Sequence, residues 1–389
     1  MKRRICGLLA LLLCLSLLAA CGRQNRPDDD SLPPIETPPP NSHAGESAQP
    51  PQRVGDEVLR ETTLDSGLHF TVYSDWTLRI DGADVTENLK NQDDLKDYVS
   101  KIKTLELGRG VEVVGSKAFQ GWDRLEKLVV GDDLREIGYY AFSDCSALGD
   151  VSFGSVEKIG EHAFSGCSSL KDVVLGDSVA EVGDYAFADC SSLVNARFGS
   201  GVTRMGTFVF NNCGSFRDFK TGSDVSAYAF AGCTTLVSLT LEDGVKSIGE
   251  FAFSGCTALR IINWPSALSS IGSSAFSGCT ALDKLMIPGS DALKLGDSAF
   301  EGCTALSGTA EFGPGLESIG DNCFSGCVSV EKIILPSTLK SIGYSAFANT
   351  GSLRVLGYTG SAAEWRTIKL ASGWNRSAGR TAPTLDYKG

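Results

Sequence analysis

The sequence predicts an α/β-type repeat solenoid, a stack of short coils sharing one parallel β-sheet face, with short 3₁₀ or helical returns and a β-hairpin cap at its N-terminal end. Three observations predict it. A phenylalanine recurs at Phe119, Phe142, Phe164, Phe187, Phe210, Phe230, Phe253, Phe276, Phe300, Phe324 and Phe347, in steps of 20 to 24 residues. A short alternating apolar stretch, such as Leu239-Thr240-Leu241, stands ahead of these positions at a similar offset. A cysteine follows nine of the eleven phenylalanines by three residues. A unit of this length cannot bury its own apolar side, so neighbours must stack to close a common core.

Residues 1–20 come first. Lys2, Arg3 and Arg4 precede an apolar stretch from Ile5 to Leu18, which ends in Leu18-Ala19-Ala20-Cys21. A basic start, a short apolar core and small residues at the end describe an export signal. The stretch is short for a membrane-spanning helix. Its end resembles the bacterial lipobox. The resemblance implies cleavage before Cys21, a diacylglycerol on the Cys21 thiol and a membrane anchor at the first mature residue. Two or more acyl chains on one residue would hold firmly.

Residues 21–55 carry Pro27, Pro33, Pro34, Pro38 to Pro40, Pro50 and Pro51, with Asp28 to Asp30 and few large apolar side chains. Such a composition cannot offset its chain entropy by burial, and proline keeps it extended, so a tether is expected. Residues 56–100 are expected to form an N-terminal β cap. Within them, Leu68 to Tyr73 and Thr77 to Ile80 read as two strands joined near Ser74 and Asp75.

The solenoid itself is assigned to residues 101–358. One unit runs through Leu239 and Leu241 as a strand, then Gly244-Val245 and Ile248-Gly249, then Ala252-Phe253-Ser254-Gly255-Cys256. Period-two alternation fits a strand with one face inward. The glycine after Ile248 suits an unusual dihedral or a close backbone approach. The Ala-Phe segment is too short for a full helix. The pattern falters around Thr207 to Phe210, and the next unit is three residues short, so an irregularity is expected there.

The units Ile248 to Cys256 and Ile271 to Cys279, with Leu335-Pro336-Ser337-Thr338-Leu339-Lys340-Ser341-Ile342-Gly343, resemble the BspA-type (Treponema pallidum-type) leucine-rich repeat. The resemblance implies a parallel-sheet solenoid at a bacterial or protozoan surface, with roles that include adhesion to host proteins or other cells. Residues 359–389 are expected to be a C-terminal cap and tail. Tyr358 to Trp365 is similar to the closing segment of such proteins, with Trp365 as a plug.

The chain has 389 residues and a formal net charge of -12, with 13 cysteines. The acidic balance and the absence of a Lys/Arg cluster beyond the N-terminus disfavour nucleic acid. Cysteines in an exported protein ordinarily suggest disulfides. Here nine of them, from Cys145 to Cys327, fall at one equivalent site per coil, where parallel side-chain vectors oppose disulfide geometry. They read as small apolar groups in a buried ladder. Trp122 and Thr350 replace cysteine in the first and last units, and Cys323 stands where other units have alanine. Zinc spacing is lacking, and no cofactor or metal is expected.

No catalytic constellation is apparent. His43, His69 and His162 fall in different segments, and neither a nucleophile elbow nor a phosphate-cradling loop is present. Acids on different coils could still meet as a pair. The reading is a binding protein and not an enzyme. Its candidate face is the row of outward strand positions, namely Val129, Ser152, Val174, Arg197, Lys220, Thr240, Asn263, Met286 and Ile334. Arg197, Lys220, Thr240, Asn263 and Met286 are its candidate ligand-binding residues, with Arg197 and Lys220 as a modest basic spot. The expected protein is a monomer at the bacterial surface, lipid-anchored through Cys21, binding a protein ligand on a host or neighbouring cell. A surface glycan, taken up through Trp264 or Trp365, and a structural envelope role are the alternatives.

Overall fold

The computed structural model describes residues 57–199, 201–290, 292–376 and 383–387. The export signal, Cys21 and the tether lie outside these residues.

Each coil is built from two short strands and a chain of turns. The first strand, for example Ser238–Leu241, pairs in parallel with Ile261–Asn263 of the next coil, Leu239 opposite Ile262. Repetition of this pairing produces the first sheet, in three stretches that together run from the N-terminal cap to Thr384–Tyr387. After a bend, a second strand of two residues, such as Ser247–Ile248, pairs with its equivalent Ser270–Ile271. This second sheet was not foreseen, because two residues are too few to show a period. It occupies residues 113 to 205 and again 247 to 370. The gap falls where the short unit lies, and there Val225 makes only an isolated bridge to Ile248.

The 3₁₀-type returns take the form of linked turns. The N–H groups of Ala252, Ser254 and Cys256 donate to carbonyls three residues back in their own coil, as in a 3₁₀ helix. Those of Phe251, Phe253 and Gly255 donate instead to Ser273, Ala275 and Ser277 of the next coil, at 2.8–2.9 Å. A continuous helix would keep every bond local, whereas the stacked coil takes half of them and satisfies the buried backbone across the stack. The alternation requires a left-handed residue two positions before each ladder phenylalanine, from Lys117 (φ 60°) to Ser345 (φ 51°). A second lies two positions after it, glycine in seven of the eleven coils and Asp or Asn in the other four.

The phenylalanines form the core ladder that the period requires. Each is at most 1% exposed. Successive rings stack at 5.1–5.7 Å, as between Phe119 and Phe142, Phe253 and Phe276, and Phe324 and Phe347. Burying each ring contributes about 1.5–3 kcal/mol, and each stacked contact about 0.5–1.5 kcal/mol more. The glycine after each second strand serves close approach. A Cβ on Gly272 would lie 2.6 Å from the Glu250 backbone nitrogen, and one on Gly160 would lie 2.8 Å from the Gly138 carbonyl carbon.

All ten cysteines among the described residues are free thiols and buried. The ladder thiols donate to the carbonyl of the preceding coil's phenylalanine, Cys145 to Phe119 at 3.1 Å and Cys279 to Phe253 at 3.3 Å. This bond explains why a thiol fills the site better than alanine would, since it gives a buried carbonyl lone pair a partner. Thr350 replaces it in the last coil by a local bond from Oγ1 to the Phe347 carbonyl, 2.7 Å. Cys323 takes the alanine position, its carbonyl accepting from the Phe300 N–H at 2.9 Å.

Both ends of the core are covered. At the N-terminal end the strands β1 (Val58–Thr63), β2 (His69–Tyr73) and β3 (Thr77–Asp81) form an antiparallel meander. The tight turn between β2 and β3 is made by Trp76 at φ 65°, with Asp75 Oδ1 accepting from the Thr77 N–H. β3 then pairs in parallel with Thr104–Leu107, and the solenoid begins. β1 escaped the sequence reading because five of its six residues are exposed and carry no inward face. At the other end the four-residue helix Ala362–Trp365 starts in a capping box of Ser361 and Glu364. It buries Trp365 to 6% exposure against Tyr358 and Trp374, at 5.2 and 5.9 Å. Trp374 in turn closes the phenylalanine ladder edge-on at Phe347.

Candidate functional site: the outward strand face

The first sheet points one side chain of each strand inward and its neighbours outward. Val173, Ala196, Phe219 and Leu239 are the inward residues of successive strands and are buried. Between them and the next inward position stands the outward row. Val174 lies opposite Arg197, and Lys220, Thr240 and Asn263 lie side by side. Met286 opens the next stretch of sheet, opposite Glu311 and then Ile334. The five candidate residues therefore lie on one face in coil order. Arg197, Lys220, Asn263 and Met286 are exposed, and Thr240 is half-buried.

Three apolar side chains stand out on this face. Met286 is 63% exposed, Val174 60% and Ile261 54%. Ile261 belongs to a second outward column, two residues earlier in the strand, with Asp172, Asn195, Asp218 and Ser238. This second column lies outside the row expected from the sequence. The signal was available, because residues two apart on a strand share a face.

The basic spot is more mixed than its sequence implied. Lys220 Nζ is paired with Glu242 Oε1 at 2.8 Å. Asp172 and Asp218 lie beside this spot in the second column, and Asn195 donates to Asp172 at 2.8 Å. An exposed pair of this kind contributes little to stability, about 0–1 kcal/mol.

The two tryptophans named as sugar platforms are packed. Trp264 meets Phe276 and Phe300 at 5.5 and 6.5 Å, and Trp365 forms the end cap. The histidines remain apart. His69 Nδ1 lies 2.8 Å from Thr63 Oγ1 in the cap, and His162 is in the turn segment. Among the described residues no group of three or more His, Cys, Asp or Glu is placed to hold a metal ion. No helix among them is long and apolar enough to cross a membrane.

Stacked coils that hold a row of exposed side chains in fixed register define a repeat scaffold suited to binding extended surfaces. The BspA type leucine rich repeat region matches the chain in six copies, over residues 97–217 and 223–354. The chain belongs to the BspA-type leucine-rich-repeat family.

One solved structure supports the fold, and two others are similar in sequence. A leucine-rich repeat protein from Bacteroides ovatus shares 20% identity and covers 86% of this chain and 99% of its own, with a TM-score of 0.55. A leucine rich cell surface protein from Faecalibacterium prausnitzii shares 23% identity over 81% of this chain and 98% of its own, TM-score 0.35. A leucine rich repeat protein from T. pallidum shares 23% identity over 57% of this chain and 91% of its own, TM-score 0.36. No curated protein matches the chain.

Proposed function

We propose that this protein is a lipid-anchored bacterial surface protein that binds a protein partner through its outward strand face, in adhesion to a host or neighbouring cell. The observation that carries the reading is the exposure of Val174, Ile261 and Met286 on a sheet face that also presents Arg197 and Asn263. These apolar groups are spaced along the face among polar ones, the mixed composition of a protein-binding strip. The stacked coils hold these groups in fixed register, so a partner pays little ordering entropy on this side. The lipobox-like end at Cys21 supports the anchor, and the proline-rich residues that follow would hold the scaffold away from the membrane.

The test is a binding screen of the soluble chain against host and bacterial surface proteins and glycans. It is repeated with Arg197, Lys220, Asn263 and Met286 changed together to serine. Capture of a protein ligand, lost in the variant while the thermal transition is unchanged, is the expected result. Undiminished capture removes this face. Anchoring is read separately by incorporation of a labelled fatty acid, which Cys21→Ser abolishes.

A further inference from the structure

A second surface lies on the turn side of the coils. The left-handed residue two positions before the ladder phenylalanine is aromatic in six consecutive coils, namely Tyr140, His162, Tyr185, Phe208, Tyr228 and Phe251. Their rings stack outside the core at 4.3–4.8 Å, with planes within 13° of parallel. All six are half-buried, and Tyr139 stands against the end of the row, 41% exposed and edge-on to Tyr140. The faces cover one another, so the edges form a continuous aromatic stripe, apolar along its carbon edges and carrying the hydroxyls of Tyr140, Tyr185 and Tyr228 and the ring nitrogens of His162. Its five steps span about 23 Å, the length of about seven residues of extended chain.

The fold does not require aromatic rings there. In the next four coils the same position holds Ser274, Ser298, Asn322 and Ser345, at the same left-handed φ of 51–55°. Bulky residues are disfavoured in that region, and Asn is among the residues that tolerate it best. The stripe is thus a local addition to six coils.

Its borders are acidic. Glu161, Asp184 and Glu250 immediately precede His162, Tyr185 and Phe251, and Asp144 and Asp189 follow Tyr140 and Tyr185 by four residues. All five are exposed. Asp144, Asp184, Asp189 and Glu250 form no ion pair among the described residues, and Glu161 has only His162 at 3.7 Å. A cation already meets the row at one end, where Lys117 Nζ lies 5.9 Å from the Tyr140 ring centre.

We propose that this stripe docks an extended, lysine-rich and apolar segment of a partner protein, its apolar side chains on the ring edges and its ammonium groups on the flanking carboxylates. Lysine stems can lie along an apolar strip while their charged ends reach past it. This surface is carried by the turn segments and is independent of the strand face, so either can fail without the other.

The experiment titrates the soluble chain into fluorescein-labelled octapeptides of alternating lysine and valine, lysine and serine, or glutamate and valine, followed by anisotropy. The lysine–valine peptide is expected to bind at least tenfold more tightly than either of the others, and more weakly as salt rises. The triple variant Tyr185→Ser, Phe208→Ser, Tyr228→Ser adopts the residue found in later coils. It is expected to lose binding at least tenfold with its circular dichroism unchanged. Equal binding of the lysine–serine peptide, or unaltered binding by that folded variant, would reduce the effect to net charge and overturn the proposal. The strand-face variant is expected to bind the lysine–valine peptide as the unchanged chain does, and a parallel loss in it would also overturn the assignment.

Discussion

Phe253→Ala tests whether the phenylalanine ladder is the element that holds the coils together. The Phe253 ring is fully buried and stacks on Phe230 and Phe276, both at 5.3 Å with planes within 11°. Its backbone bonds run to Ala275 and, through the carbonyl, to Cys256 and the Cys279 thiol, and these survive truncation. The loss is therefore confined to the side chain. Removing a buried phenylalanine from a packed core costs about 3–5 kcal/mol. Burial and two stacked contacts account for that range. Stability in a solenoid is the sum of coil and nearest-neighbour terms. The damage thus falls on two adjacent interfaces in mid-stack, and a single unfolding transition is expected to split into two. Denaturant titration by circular dichroism and tryptophan fluorescence measures both effects. Phe251→Ser, only two residues away but half-buried and at a position that holds serine in Ser274, serves as the control, with a cost of about 1 kcal/mol or less. A Phe253→Ala cost under about 1 kcal/mol, or one equal to that control, would refute the ladder as the source of cohesion.

Other consequences follow from the same packing. Burial pushes the Cys145, Cys190 and Cys233 thiols up from 9.0 to about 12. A raised acid pKa contributes stability below the unfolded value and loses it as pH rises through the folded one, so stability should fall between about pH 9 and 12. Cys233→Ala should flatten that fall, and an unchanged slope would count against it. The ten described thiols should resist maleimide in the native protein and all react in denaturant, read as added mass. Early labelling, or a mass lowered by disulfides, would contradict the buried-thiol ladder. Gly272→Ala places a Cβ against the backbone of the preceding coil and should cost about 1–3 kcal/mol. A neutral result would mean the coils can separate at no cost. Trp365→Ala should open the C-terminal end, lowering the melting temperature and raising hydrogen exchange first in Val355–Tyr358. Uniform exchange across the solenoid would argue against a plug.

Much of this architecture was legible in the residues. The 20–24-residue recurrence of phenylalanine carried the solenoid, because each unit leaves an apolar side that only a neighbour can cover. The cysteine offset marked the thiol ladder, and period-two alternation marked the inward and outward rows, placing Arg197, Lys220, Thr240, Asn263 and Met286 on one face. The aromatic stripe was also written in the sequence, two residues before six of the eleven ladder phenylalanines. It passed unread there because the slot also holds Lys117, Ser274 and Asn322 and resembles a variable surface position.

The sequence by itself determined the repeat, its core ladder and the polarity of each strand position. These depend on side-chain chemistry at fixed spacing within one coil, and a linear pattern records them. Only the tertiary structure decided the two-residue second sheet, the pairing of Lys220 with Glu242, the second outward column with Ile261 and the stacking of six rings into one stripe. Each of these is a contact between coils about 20 to 24 residues apart. Its geometry is set by the register of the stack, which no single coil contains.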